Sequence, residues 1–274
     1  MTLEIKVLDL GDIDLESSFL VLGRMPGTTV RVPTFGYLIL GDEDPVLVDT
    51  GYRWHRTGVR SEEQSLENQL AKHGIRFGDI RYILHTHLHI DHAGQDDKFP
   101  MSTPVVVNRR ELEFSASGLQ GRMYPPEDVK HLIDRLHTPG ALRLLDLELT
   151  GPVEIVPGIR CDQVGGHTPG SMNVLVETEE GTACICGDVL YDIQHQIVDP
   201  FAEMLDAEPT PTGNHAADKR EVRAAIKKVV DNYAFVCPTH DRPARVERGR
   251  VVGRLRDSVP GVLTPVEGVT SGQA

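Results

Sequence analysis

Tyr82-Ile83-Leu84-His85-Thr86-His87-Leu88-His89-Ile90-Asp91-His92-Ala93-Gly94 decides how this chain is read. The stretch opens as an apolar run and then alternates donor side chains. In an extended segment residues two apart point the same way, so His87 and His89 share a side, whereas the adjacent Asp91 and His92 diverge. It can therefore feed two neighbouring metal positions, His87 and His89 at one, Asp91 and His92 at the other. Imidazole nitrogens joined by a carboxylate suit zinc or a similar divalent ion. With 12 histidines in 274 residues, three of them and an Asp at this spacing point to a metal site, not to a chance cluster on a solvated loop.

Working outward, three more polar residues stand just past apolar strands. His167 lies in Gly165-Gly166-His167-Thr168-Pro169-Gly170, Asp188 follows Cys186-Gly187, and His240 follows Phe235-Val236-Cys237-Pro238-Thr239. Each alone reads as an ordinary turn residue. Together with the opening motif they form a recurrent layout, in which donors converge on one edge of a sheet. Five His and two Asp suffice for two positions that still leave room for water.

The pattern between these points is α/β. Strands are expected at Leu3–Leu10, Phe35–Leu40, Val46–Val48, Ile80–Leu84, Pro104–Asn108, Ala141–Leu145, Val153–Val156, Ile159–Val164, Met172–Glu177, Thr182–Cys186 and Ala234–Cys237. Ser17–Arg31 reads as a loop or hairpin, and Glu179-Glu180-Gly181 as a hairpin turn. Ser61 with Gln64 three on is a capping-box signature for a helix ending near Gly74. Further helices are expected at Arg109–Ser115, Glu127–Leu136 and Ala217–Val230, the last with an apolar stripe through Val222, Ala225, Ile226 and Val229. Ser117–Pro126 is irregular and would wall or cover a pocket. The tail from Gly249 is polar and Gly-rich, and its last ten residues are expected to be mobile. No repeat or linker divides the chain, so residues 1–274 are read as one domain.

Composition narrows the function. The formal charge is −13, from 28 basic and 41 acidic residues, which argues against a nucleic-acid partner. Cys161, Cys184, Cys186 and Cys237 form no C-x-x-C pair and read as small buried apolar residues. The N-terminus lacks a secretory apolar core and no window is long enough to span a membrane, so the cytoplasm is the expected compartment. Phe19-Leu20-Val21-Leu22 leaves a homodimer contact open.

His87-x-His89-x-Asp91-His92 followed by His167, Asp188 and His240 resembles the metallo-β-lactamase superfamily, from about Asp49-Thr50-Gly51 to His240. The resemblance implies an αββα sandwich of two mixed β-sheets flanked by helices, with two divalent metal ions, zinc in the first instance, at the edge between the sheets. It assigns His87, His89 and His167 to one metal and Asp91, His92 and His240 to the other, with Asp188 bridging and Asp49 supporting the ligand loop. True β-lactamases of this type carry Cys where Asp188 stands, and the di-iron oxygen-reducing branch carries Glu at His89. Glyoxalase II has a helical C-terminal domain for which the residues after His240 are too few. RNA-processing relatives need insertions or a basic arm. The remaining resemblance is to the compact N-acyl homoserine lactone lactonases, whose substrate-facing tyrosine matches Tyr191, although Ser171 stands where they often have a second His. It implies that a metal-bridging hydroxide opens a small lactone ring, Tyr191 steadying the carbonyl oxygen and Asp91 passing a proton to the leaving alkoxide. The alternative is a different small ester, amide, thioester or phosphotriester on the same site; a non-catalytic metal protein is the third reading. His85 is taken as support or strand-end packing and not as a ligand. Trp54 and His55 could line the pocket mouth, His195 and His215 are weaker candidates, and His73, His131 and His137 are expected to face solvent.

Overall fold

Apolar β-branched runs become strands that are buried on both faces. The computed structural model describes residues 2–41, 44–53, 58–198, 208–214 and 217–266. In chain order these are β1 (Glu4–Glu16), β2 (Thr29–Leu40), β3 (Val46–Val48), β4 (Gly58–Val59), β5 (Tyr82–Leu84), β6 (Val105–Asn108), β7 (Leu142–Leu145), β8 (Val153–Val156), β9 (Ile159–Gln163), β10 (Met172–Thr178), β11 (Gly181–Gly187), β12 (Phe235–Pro238), β13 (Ala244–Glu247), β14 (Arg250–Arg254) and β15 (Ser258–Val259). The helices among the described residues are α1 (Ser17–Leu20), α2 (Leu66–Ala71), α3 (Arg109–Ser115), α4 (Pro126–Leu136), α5 (Leu147–Thr150), α6 (Ile193–Gln196) and α7 (Lys219–Asn232).

The strands form two mixed sheets. One runs β15-β1-β2-β3-β5-β6-β7, with β4 also on β1, and the other runs β14-β13-β12-β11-β10-β9-β8. The first is antiparallel from β15 to β3 and parallel from β3 to β7; in the second only β11 and β12 pair in parallel. Alternate residues of both sheets, among them Ile39, Val48, Leu84, Val106, Val174 and Ile185, meet in a central apolar layer. Leu66, Leu70 and Leu132 cover the outer face of the first sheet, and Val222, Ile226 and Val229 of α7 cover that of the second. Burying an apolar side chain in this way contributes about 1.5–3 kcal/mol. The architecture is the expected αββα sandwich.

Differences from the sequence reading are local and have physical causes. Strand β1 runs on to Glu16, across a register shift between Asp9 and Asp12, and closes a long hairpin with β2 around α1. The Gln64 side chain does accept the Ser61 N–H at 2.9 Å, but Ser65 caps α2 by accepting from the Asn68 N–H. Gln64 is held elsewhere, donating to Asp9 on β1, so the capping-box pair closes a turn just ahead of the helix. Beyond Gly249, where the sequence reading names no strand, β14 pairs with β13, and β15 returns to β1 of the other sheet. Polar composition concealed these strands because both lie at sheet edges. His137 is exposed as expected, whereas His73 and His131 are half-buried, and His131 accepts a hydrogen bond from Arg135. Leu20 and Val21 point inward onto Tyr191, so within Phe19–Leu22 it is Leu22 that stands out into solvent. Trp54, His55, His215 and the last eight residues lie outside the described residues.

Candidate metal centre

Parallel pairing sets the site. Strands β3 and β5 end side by side, delivering Asp49 and the His85–His92 segment, and β11 and β12 end side by side, delivering Asp188 and His240. His167 comes from the β9–β10 connection. Two main-chain bonds stitch the sheets at this edge, the Met172 N–H donating to the Thr86 carbonyl and the Phe35 N–H to the Thr239 carbonyl, while the Thr239 N–H donates to the Gly187 carbonyl within the second sheet. Gly187 has φ +54°, and a Cβ placed on it would lie 2.5 Å from Thr86 Oγ1, so the close approach requires glycine.

The segment after β5 does not remain extended. It coils after His89, where the His92 and Ala93 N–H groups both donate to the His89 carbonyl. That turn corrects the simple alternation and folds Asp91 and His92 together toward the second group of donors. His87, His89, His167 and Asp188 gather with donor atoms within 4.8 Å of one another, as do Asp91, His92 and His240. All seven expected side chains are thus brought together, and all are buried.

The geometry fits metal. A tetrahedral ion with bonds of about 2.0–2.2 Å needs donors about 3.3–3.6 Å apart. Around the first position His89 Nδ1 lies 3.0 Å from Nε2 of both His87 and His167, and Asp188 Oδ2 lies 3.9 and 3.5 Å from those same nitrogens. Around the second, Asp188 Oδ1 lies 3.2 Å from His92 Nε2 and 3.4 Å from His240 Nε2. Asp91 adds Oδ2 at 3.3 Å from His240 Nε2 and Oδ1 at 3.9 Å from His92 Nε2. His92 Nε2 and Asp188 Oδ1 are buried without a hydrogen-bond partner, a costly arrangement that a cation between them would resolve. The two oxygens of Asp188 face different groups, the arrangement of a carboxylate shared between them.

The outward nitrogen of each imidazole has an acceptor, which fixes its tautomer. His92 Nδ1 lies 2.8 Å from Asp49 Oδ2, and His240 Nδ1 lies 2.8 Å from the Pro33 carbonyl. His87 Nδ1 faces Thr86 Oγ1, His89 Nε2 faces Gln120 Oε1, and His167 Nδ1 faces the Tyr191 hydroxyl, each at 3.3 Å. Asp49 also accepts from the Thr86 N–H and hydroxyl at 3.0 and 2.7 Å and lies 3.3 Å from His85 Nδ1. His85 closes this network on Asp96 at 2.9 Å and does not join the donors. Burial alone would neutralise Asp49, but His92 and His85 outweigh it and hold its carboxyl at about 2. Burial also works against charge on His85, yet Asp96 and Asp49 lift it to about 9.

The two groups differ electrostatically. Burial, reinforced by neighbouring imidazoles, drives His87 well below its ordinary value; burial likewise lowers His89 and takes His167 to about 3. In the other group burial is overcome by carboxylates: Asp188, Asp49 and Asp91 hold His92 well above the ordinary value, and Asp188 and Asp91 bring His240 to about 10.

Tyr191 packs between Phe19 and His240, its ring parallel to the imidazole with centroids 5.3 Å apart. It is both a packed aromatic, 2% exposed, and a polar neighbour of the site. Burial and the nearby Asp188 push its phenol well above the ordinary value, so it keeps its proton at neutral pH. His195 sits on α6, half out of the fold, paired with Asp192 and apart from the seven donors. Thr86, Asp96, Glu111 and Gln120 escaped the sequence reading. Thr86 lies directly before the His87–His92 motif and Asp96 four residues beyond it, within reach of inspection, whereas Glu111 and Gln120 carry no local signal.

The model of the Metallo-beta-lactamase superfamily matches residues 29–240. The chain belongs to this superfamily. Among its curated superfamily relatives, an N-acyl homoserine lactonase from Bacillus sp is 32% identical over 172 residues, 57% of this chain and 62% of the relative. The N-acyl homoserine lactonase of Bacillus thuringiensis is 30% identical over 184 residues, 61% of this chain and 67% of that protein. The match thus spans just under two thirds of the first relative's length. A solved structure of N-acyl homoserine lactone hydrolase, with N-hexanoyl-L-homoserine bound at its catalytic metal centre, superposes with a TM-score of 0.65 at 25% identity, covering 84% of this chain and 88% of that one. No helix among the described residues is long and apolar enough to cross a membrane.

Proposed function

We propose that the chain is a dinuclear metal-dependent hydrolase that opens the ring of a small lactone, an N-acyl homoserine lactone in the first instance. The observation that carries the reading is the pair of donor groups sharing Asp188, whose two oxygens face one group each. His87, His89 and His167 would hold one ion, Asp91, His92 and His240 the other, and Asp188 both. When bound, such a pair supplies a hydroxide nucleophile at neutral pH and Lewis acidity toward the ester carbonyl. Zinc suits the nitrogen-rich donor set.

The chain's own residues supply the rest. Tyr191 keeps its proton and can donate to the oxygen on which charge develops, an interaction worth roughly 3–4 kcal/mol where it is preorganised. Asp91 Oδ can carry the proton to the leaving alkoxide, so that the ring ester becomes a carboxylate and a free hydroxyl. Burial of all seven donors keeps competing water out. The likeness to N-acyl homoserine lactonases, at about 30% identity, supports this substrate class. We place the enzyme in the cytoplasm, as one domain acting on a small molecule with no nucleic-acid or membrane partner.

One observation favours the wider reading of another small ester, amide, thioester or phosphotriester: the Tyr191 hydroxyl is turned to His167 and is almost fully enclosed. The test is a product-resolved screen of metal-quantified protein on lactone, thioester, aryl ester and phosphotriester, each with and without chelator. Chelator-sensitive opening of the acyl homoserine lactone above all other substrates is expected. Equal turnover in both chelator arms would remove the metal mechanism, and preference for another substrate would remove the lactonase assignment.

A further inference from the structure

His89 is the donor that enters the first group through Nδ1, where His87, His92, His167 and His240 all present Nε2. Its Nδ1 stands 3.0 Å from two other imidazole nitrogens, so a proton there would collide with the lone pairs that the site needs free. The proton must sit on Nε2, and an acceptor has to hold it there. That acceptor is Gln120 Oε1, at 3.3 Å.

Gln120 belongs to the stretch between α3 and α4 that the sequence marks as an irregular excursion. Its backbone has φ +52°, a left-handed conformation uncommon for glutamine. The turn around it is tied to the ligand segment: the Met123 N–H donates to the Gln120 carbonyl at 2.7 Å, and the Ile90 N–H donates to the Met123 carbonyl at 2.8 Å. The Tyr124 ring packs against the His89 ring with centroids 4.8 Å apart, and its hydroxyl donates to Glu111. Glu111, wholly buried, also accepts from the Leu88 N–H and from the Thr168 hydroxyl beside His167. The excursion is thereby pinned at several points around His89, and the strained residue is the one whose side chain reaches the imidazole.

We propose that Gln120 is a positioning residue that selects Nδ1 as the metal-facing nitrogen of His89, and so sets the affinity of the first of the two metal positions while leaving the second alone. This rests on the two-metal reading above. Removing a partner of this kind costs about 10–100-fold in metal affinity.

The test is a zinc titration of the full chain against a chromophoric chelator, combined with long-range nitrogen–proton NMR of the imidazoles in the loaded protein. Gln120→Gly deletes the acceptor and tolerates the positive φ, so the turn keeps its shape. Gln120→Glu retains an oxygen acceptor. In the unaltered chain two equivalents and a His89 proton on Nε2 are expected. In Gln120→Gly one equivalent weakens about 10–100-fold, the other holds, and the His89 signals shift toward a mixture of tautomers. Gln120→Glu restores both readouts. His240→Ala identifies the second position by weakening the other equivalent. Unchanged affinities and an unchanged His89 tautomer in Gln120→Gly would overturn the inference while leaving the two-metal reading standing. An unaltered chain that takes up fewer than two equivalents would sink that reading first, and this inference with it.

Discussion

The two metal positions are built to different standards. The histidines of the second are braced at 2.8 Å, His92 by the Asp49 carboxylate and His240 by the Pro33 carbonyl, both acceptors lying on or just after strands. Those of the first are braced at 3.3 Å, by a hydroxyl, an amide and a phenol. The charge differs in the same sense. Two carboxylates serve the second group, whereas the first has three neutral imidazoles and a half share of Asp188. An acceptor held at 2.8 Å on or beside a strand pre-orients its ligand more firmly than one at 3.3 Å. The second position is therefore read as the fixed anchor and the first as the adjustable half.

The largest test of that contrast removes what the halves share. Asp188→Ala should cut metal content from about two per chain to below one and abolish hydrolysis, because both groups lose a donor. Elemental analysis of the purified protein with turnover on the lactone checks it. Retention of two ions would mean that the halves are independent and the comparison is wrong.

Asp49→Ala strikes the anchor. It leaves His85 and His92 facing a void where a buried carboxylate stood, and breaking a buried pair in this way costs about 3–5 kcal/mol. Chemical denaturation should show the loss, and metal titration should show the second position weakened more than the first. Tyr191→Phe strikes the adjustable half. Removal of the His167 partner should lower first-position affinity by about 10-fold with the second unchanged. A fall in kcat beyond what metal occupancy explains would mark the hydroxyl as a donor to substrate, and no such fall would leave it as a brace for His167.

The smallest expected effect is one of pH on chelator-treated protein. His85 is raised from its ordinary value of 6.5 to about 9 in the fold. A raised imidazole contributes stability that is fully present below pH 6.5 and is lost as pH rises through about 9. Unfolding free energy should therefore fall across that window, and His85→Gln should flatten the slope. A slope unchanged in the variant would assign the loss to another group.

What could be read from the sequence follows from how local each signal is. Donors spaced within a single motif announce themselves, and those just past apolar runs become legible only beside it, so the seven donors and the layered α/β fold are visible in the sequence, whereas the division of all seven into two groups rests on the family resemblance. The end of the extended run at His89 was not visible, because the turn depends on bonds to Gly51 and Met123 from other parts of the chain. The braces were the least visible. A carbonyl such as that of Pro33 has no sequence identity, and Glu111 and Gln120 look like any helix or loop polar residue until tertiary packing brings them to Leu88 and His89. Strands β14 and β15 were hidden for a related reason, since edge strands carry the polar composition of loops.

The missing side chain at Gly187 has a consequence for how this scaffold can vary. The seam between the sheets is main chain against a threonine, and each donor group draws side chains from both sheets, so the span across each group is held by backbone thickness and by no rotamer that could adapt. A methyl group there would part the donors within each group like a shim in a closed vice. New substrates can be accommodated by rebuilding the outer loops, but the gauge of the vice is not open to gradual adjustment.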